Sequence, residues 1–83
     1  MEAYKERMVK EYWELHERAV KLGNMLERWE NGELDFEPSC PFDLLQSQLF
    51  IMSAYLNILK QRAKIESIDL TEYDKLFDKR ETK

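Results

Sequence analysis

Two different hydrophobic patterns run along this chain. From Glu2 to about Glu30, apolar residues recur at Met8, Tyr12, Leu15, Ala19, Leu22, Leu26 and Trp29, in steps of three and four. At about 3.6 residues per turn, that spacing draws a single stripe along a helix. Charged residues, among them Lys5, Glu6, Lys10, Glu14, Glu17, Arg18, Lys21 and Glu27, fill its other faces. Gly23 interrupts the pattern at a cost of about 1 kcal/mol relative to alanine, which marks a mild kink or a close approach by another group. Asn31-Gly32 is a helix stop.

The second pattern has no single face. Leu45, Leu49, Met52, Leu56, Leu59 and Ala63 form one stripe, Leu44, Ile51, Tyr55, Ile58 and Ile65 form another, and Phe50 lies outside both. Of the sixteen residues from Leu44 to Leu59, eleven are hydrophobic and none is charged. A helix that is apolar on more than one side is buried on more than one side. A partner helix in the same chain covers one face; the other must meet a second subunit or stand as an exposed apolar patch.

Between the two patterns lies a polar connector with Leu34 and Phe36 as anchors over the core. Pro41 suits the first turn of the next helix, with Ser39 or Cys40 as its cap and Asp43 in the positive first turn. Beyond Ile65, Thr71 and Asp74 form a capping-box pattern ahead of Tyr73, Leu76 and Phe77, which predicts a short last helix. The resulting expectation is an all-α single domain over 1–83, with helices at 2–30 and 41–66, a loop at 31–40 and a short C-terminal helix at 71–79. The two long helices would run antiparallel as a helical hairpin and assemble as a homo-oligomer.

Composition narrows the picture. A domain of 83 residues buries only about 60% of its unfolded surface and needs a staple to be stable alone. Cys40 is the single cysteine, so no disulfide forms within the chain, and Cys40 with His16 cannot supply the four ligands of a structural zinc. Self-association is the staple that remains. One cysteine and a charged N-terminus without an apolar leader predict a cytosolic protein. The uncharged run is shorter than the ~20 residues of a membrane span, so no membrane association is expected. A net charge of −4 argues against a DNA or RNA polymer as partner, though not against a local pocket for a small anion.

No catalytic residue, metal or cofactor is predicted. A hairpin closed near residue 36 sets position i opposite roughly position 72 minus i, which leaves His16 far from Cys40 and gives no Cys–His pair. His16 reads as a boundary residue, and the carboxylates as a solvated helix face. The same register gathers Tyr12, Arg7, Lys60, Arg62 and Lys64 at one end. Arg62 continues the second apolar stripe, so its stem points toward an interface, and a guanidinium there needs an anion. Glu11 or Glu66 would supply one; so would a phosphate held between subunits, with Tyr12 stacking on a base. Trp29 continues the core stripe. Trp13, with Val9 and Val20, lies on a secondary face suited to subunit packing or to a ligand wall. The expected oligomer interface is Leu44, Phe50, Ile51, Tyr55, Ile58 and Trp13.

Tyr4-Lys5-Glu6-Arg7-Met8-Val9, Glu11-Tyr12, Leu15 and Lys21-Leu22, followed by Leu44-Leu45, Gln48, Met52, Tyr55, Ile58-Leu59, Arg62-Ala63, Ile65-Glu66 and Ile68-Asp69-Leu70, resemble the two helices of small bacteriophage proteins similar to the anti-CBASS sponge family. The resemblance spans roughly Tyr4 to Leu70. It implies a homohexamer of helical hairpins in the cytoplasm of the infected bacterial host. Such proteins evade immunity by sequestering cyclic dinucleotide messengers in pockets between subunits and, in some members, cyclic trinucleotides at separate sites. It further implies that Tyr12 is the base-stacking residue, that Arg62 is the basic residue of the second helix, and that Lys21 stands nearest the family's first-helix lysine. The acidic connector from Glu33 to Glu37 departs from the family's pattern. Two other readings stay open: a protein-interaction module that docks the apolar second helix against a partner, and a structural or regulatory phage oligomer with no small ligand.

Overall fold

The computed structural model describes residues 3–70. Within them the protein is all-helical, with α1 at Ala3–Glu30, α2 at Phe42–Ile65 and no strand. The short helix expected at 71–79 lies outside the described residues.

On α1 the buried residues are Met8, Val9, Tyr12, Leu15, Ala19 and Leu26, with Leu22 and Trp29 half-buried. This is the expected stripe, widened by Val9. On α2 the stripe from Leu45 to Ala63 turns inward. Leu59 is fully buried and Ala63 nearly so, while Leu45, Leu49, Met52 and Leu56 are half-buried. Contacts between the helices run from Trp29 edge-on to Phe42, with ring centroids 5.2 Å apart, through Gly23 near Leu49, to Glu11 with Tyr55. Residue numbers rise along one helix as they fall along the other.

Burial is uneven. The tightest cluster joins Met8, Val9, Tyr12, Leu15, Leu59, Ala63 and Ile68, with Trp13, Met52, Leu56 and Leu70 packed against it. Residues 66–70, just beyond α2, therefore fold back over the core. The Trp13 indole Nε1 donates a 2.6 Å hydrogen bond to the Leu70 carbonyl and pins that segment in place.

Both helices end in the same way. At the end of α1, Glu33 N–H bonds the Arg28 carbonyl at 2.8 Å and Gly32 N–H the Trp29 carbonyl at 3.0 Å, with Gly32 at φ 72°. At the end of α2, Ile68 N–H bonds the Ala63 carbonyl at 2.8 Å and Ser67 N–H the Lys64 carbonyl at 3.4 Å, with Ser67 at φ 58°. Each is a Schellman motif, which satisfies the last carbonyls through one left-handed residue. In the second, Ile68 drops into the core beside Ala63, the apolar contact that accompanies the motif.

Two local expectations are corrected. Pro41 is itself the N-cap of α2, with ψ 151°, and not a residue of its first turn. Its extended backbone lies outside the helix while its carbonyl accepts the first helical bond, from Leu45 N–H at 3.2 Å, so neither Ser39 nor Cys40 caps the helix. Phe36 is exposed rather than anchored, and only Leu34 is half-buried. The connector is short and polar, and Trp29 on Phe42 already closes that end.

Two substitutions test the backbone account in opposite directions. Ser67→Gly removes a left-handed penalty of roughly 1–2 kcal/mol and is expected to raise stability by about 1 kcal/mol. Gly23→Ala adds a methyl that meets Leu49 Cδ2 at 3.7 Å, an ordinary contact, and gains about 0.5–1 kcal/mol of helix propensity. Each corresponds to a rise in Tm of about 4–8 °C per kcal/mol, read by thermal melting at one protein concentration.

Candidate ligand-binding site

The second stripe of α2 faces away from α1. Leu44, Ile51, Tyr55, Ile58 and Ile65 are all exposed, Ile65 by 82%, and so is Phe50. An apolar row of this length, left open by a single chain, is the largest anomaly in the molecule. Arg62 stands on the same row because residue 62 is one helical step from both Ile58 and Ile65.

Arg62 makes one ion-pair contact among the described residues. Its Nε lies 3.8 Å from Glu66 Oε2, one turn along, which is beyond hydrogen-bonding range. Glu66 Oε1 is buried and has no hydrogen-bond partner among the described residues. A guanidinium with spare donors and a carboxylate with a spare acceptor thus sit together at the edge of an apolar surface. Tyr55 lies nearby, and its phenol donates to Glu11 Oε2. That hydrogen bond chiefly raises the Tyr55 pKa above the usual tyrosine value; desolvation and the Glu11 charge add to the rise, and the Arg62 charge opposes it. Glu11 and Tyr55 depart from the 72-minus-i register by six residues, so a straight pairing of helices does not disclose this contact.

Tyr12 is not presented as expected. It is only 5% exposed, inside the core cluster, with Trp13 edge-on at 5.0 Å and His16 stacked at 6.0 Å. Its place on the core stripe of α1, which put it in register with the end of α2, also buries its ring. Trp13 is likewise half-buried and held by Leu70, so it is not an open interface residue. Arg7 and Lys60 are exposed. Lys21 is exposed and paired with Glu17 at 3.3 Å. It stands nine residues beyond Tyr12, about 13 Å further along α1, so a single chain does not bring it beside Arg62. The aromatic ring that accompanies Arg62 is Tyr55. No group of His, Cys, Asp and Glu among the described residues is arranged to hold a metal ion, and no described helix is long and apolar enough to cross a membrane.

The Tyr55–Glu11 bond carries a pH signature. It requires the neutral phenol, and the folded pKa is raised, so its stabilising effect is full below the unfolded tyrosine value of about 10. The effect is lost as pH rises through the folded value. Phenolate absorbance, taken as wild type minus Tyr55→Phe, is expected to place Tyr55 above ordinary tyrosine, and Glu11→Gln to bring it back down. A Tyr55 that titrates unchanged in Glu11→Gln would contradict the contact.

Comparison with curated proteins found no match, and neither did comparison with solved structures. A protein family does match: Sequestin, over residues 2–65, which takes in both helices and the connector. The chain belongs to the Sequestin family.

Proposed function

We propose that this protein is a stoichiometric sponge. It binds a cyclic oligonucleotide immune signal, a cyclic di- or trinucleotide, and withholds it from the effector of a CBASS-type defence in the host cytoplasm. The family name accords with sequestering, and the likeness to anti-CBASS sponges supplies the ligand class. The observation that carries the reading is Arg62: a guanidinium without a hydrogen bond among the described residues, on an open face of α2 that also carries Tyr55, about two turns away. A phosphodiester takes two parallel guanidinium hydrogen bonds, and the neighbouring apolar and aromatic surface suits a base.

The helix contacts fit a helical hairpin, and the open row of α2 fits assembly of several copies, a homohexamer by resemblance. Sequestration needs tight binding rather than turnover. A nanomolar complex requires about 12 kcal/mol, more than one exposed site on one chain supplies, so the ligand is enclosed between subunits and released chemically unchanged.

Titration calorimetry against cyclic di- and trinucleotides and cyclic ADP-ribose variants tests this. At least one ligand is expected to bind tighter than ~10 μM and to be recovered intact. At a hundredfold excess over Kd it adds about 2.7 kcal/mol of stability. Arg62→Ala is expected to weaken binding about 10–100-fold, the weight of a hydrogen bond to a charged group, with little change in melting. A folded protein that binds none of the panel would falsify the reading.

A further inference from the structure

The open face of α2 has an internal order. Positions 44, 48, 51, 55, 58, 62 and 65 alternate steps of four and three, the 3.5-residue repeat of a helix–helix seam. They form two parallel rows. Leu44, Ile51, Ile58 and Ile65 make an apolar row; Gln48, Tyr55 and Arg62 make a polar row beside it. All seven are exposed. The buried stripe of α2 lies about a third of a turn away, so the seam remains open while α1 is in place.

We infer that this seam is closed by α2 of a second copy, running antiparallel about a two-fold axis near Tyr55. Area supports a second copy. At roughly 200 Å² for a large side chain, the exposed apolar and aromatic residues of the seam present on the order of 600 Å² per copy, and Gln48 and Arg62 bring it toward the ~800 Å² per partner of a standard interface. A two-fold contact must also be self-complementary, and the seam is. Its polar row is centred on Tyr55, and its apolar row reads apolar in either direction.

Charge selects the direction. A parallel, in-register pair would oppose Arg62 to Arg62 across the seam, two like charges brought together with partial loss of solvent. An antiparallel pair lays each row along its counterpart. Arg62 then comes beside Gln48 of the second copy, whose amide oxygen accepts from a guanidinium. The two Arg62 side chains are separated by about fourteen residues of helix, on the order of 20 Å, well past the ~8 Å screening length. Each Arg62 site is thus completed by Gln48 and Tyr55 of the second copy. That last statement rests on the ligand reading above; the pairing of the helices does not.

Crosslinking in a Cys40→Ser background tests the pairing. Leu44→Cys and Ile65→Cys chains, one carrying a tag that distinguishes it by mass, are treated with a short bismaleimide. The antiparallel seam predicts crosslinks between the two variants when mixed and none when either is treated alone. Ile65→Cys crosslinking to itself would overturn the direction, and a wild-type protein that sediments as a monomer would overturn the seam. Ile51→Glu with Ile58→Glu leaves the α1–α2 core untouched and is expected to dissociate the pair while helicity is retained. A double variant that stays associated would place the contact on another face. Calorimetry on the wild type is read independently, so nucleotide binding without these crosslinks rejects the seam and leaves the sponge reading standing.

Discussion

One α-helix buries only one side of another, and the rest of this molecule follows from that limit. α1 is amphipathic, with one main apolar stripe and charged residues over most of its remaining surface, so a single neighbour covers most of what it must bury. α2 has two apolar sides and no charge from Leu44 to Leu59. When α1 covers the stripe that ends in Leu59 and Ala63, the stripe that runs from Leu44 to Ile65 stays in water. At about 25 cal/mol per Å², several hundred square ångströms of such surface is a larger quantity than any one hydrogen bond in the chain. It outweighs the small adjustments at the caps and connector.

Both stripes are legible in the sequence because each follows helical periodicity, and burial follows periodicity closely when two helices share one seam. The residues from Met8 to Trp29 on α1 and from Leu45 to Ala63 on α2 turn inward as their spacing requires. What periodicity does not carry is how a side chain divides its surface between neighbours. By spacing Tyr12 could serve either the core stripe or a site with Arg62, and spacing alone does not say which environment holds the ring; packing with Leu15, Leu59 and Ala63 decides it. The Trp13 to Leu70 hydrogen bond joins residues 57 apart in sequence, and nothing in the local text of either residue announces it. The same is true of Glu11 and Tyr55, which lie off the straight register. Pro41 shows a subtler failure: its φ suits a first-turn position and an N-cap equally, and ψ, which a sequence does not display, separates the two.

The tight end of the molecule and the candidate site are the same end, and the fold explains why. Ile68 enters the core through the left-handed turn at Ser67, and Leu70 is held by Trp13. Together they seal the region where α1 and α2 are most closely packed. That seal consumes the aromatic residues Tyr12 and Trp13 as packing. Tyr55 and Arg62 are left on the outer row, carried by a stretch of α2 that Leu59 and Ala63 anchor rigidly from behind. A binding group is best presented by an element that does not move when the ligand arrives, because less ordering then has to be supplied on binding.

Charge on that outer face would also tie the proposed assembly to the proposed binding. An uninterrupted apolar row would associate with little discrimination of direction or partner. Gln48, Tyr55 and Arg62 flank the apolar row at regular intervals, and a polar group in a helix seam selects register at some cost in stability. Of the three, Arg62 is the most expensive to cover, since an unpaired guanidinium loses hydration that an amide oxygen or the loose contact with Glu66 only partly replaces. An anion that enters between two copies offsets that loss directly. On the proposed pairing and ligand, the arginine that makes the bare seam suboptimal would make the liganded seam favourable, and ligand and second subunit would each strengthen the other's hold on the protein.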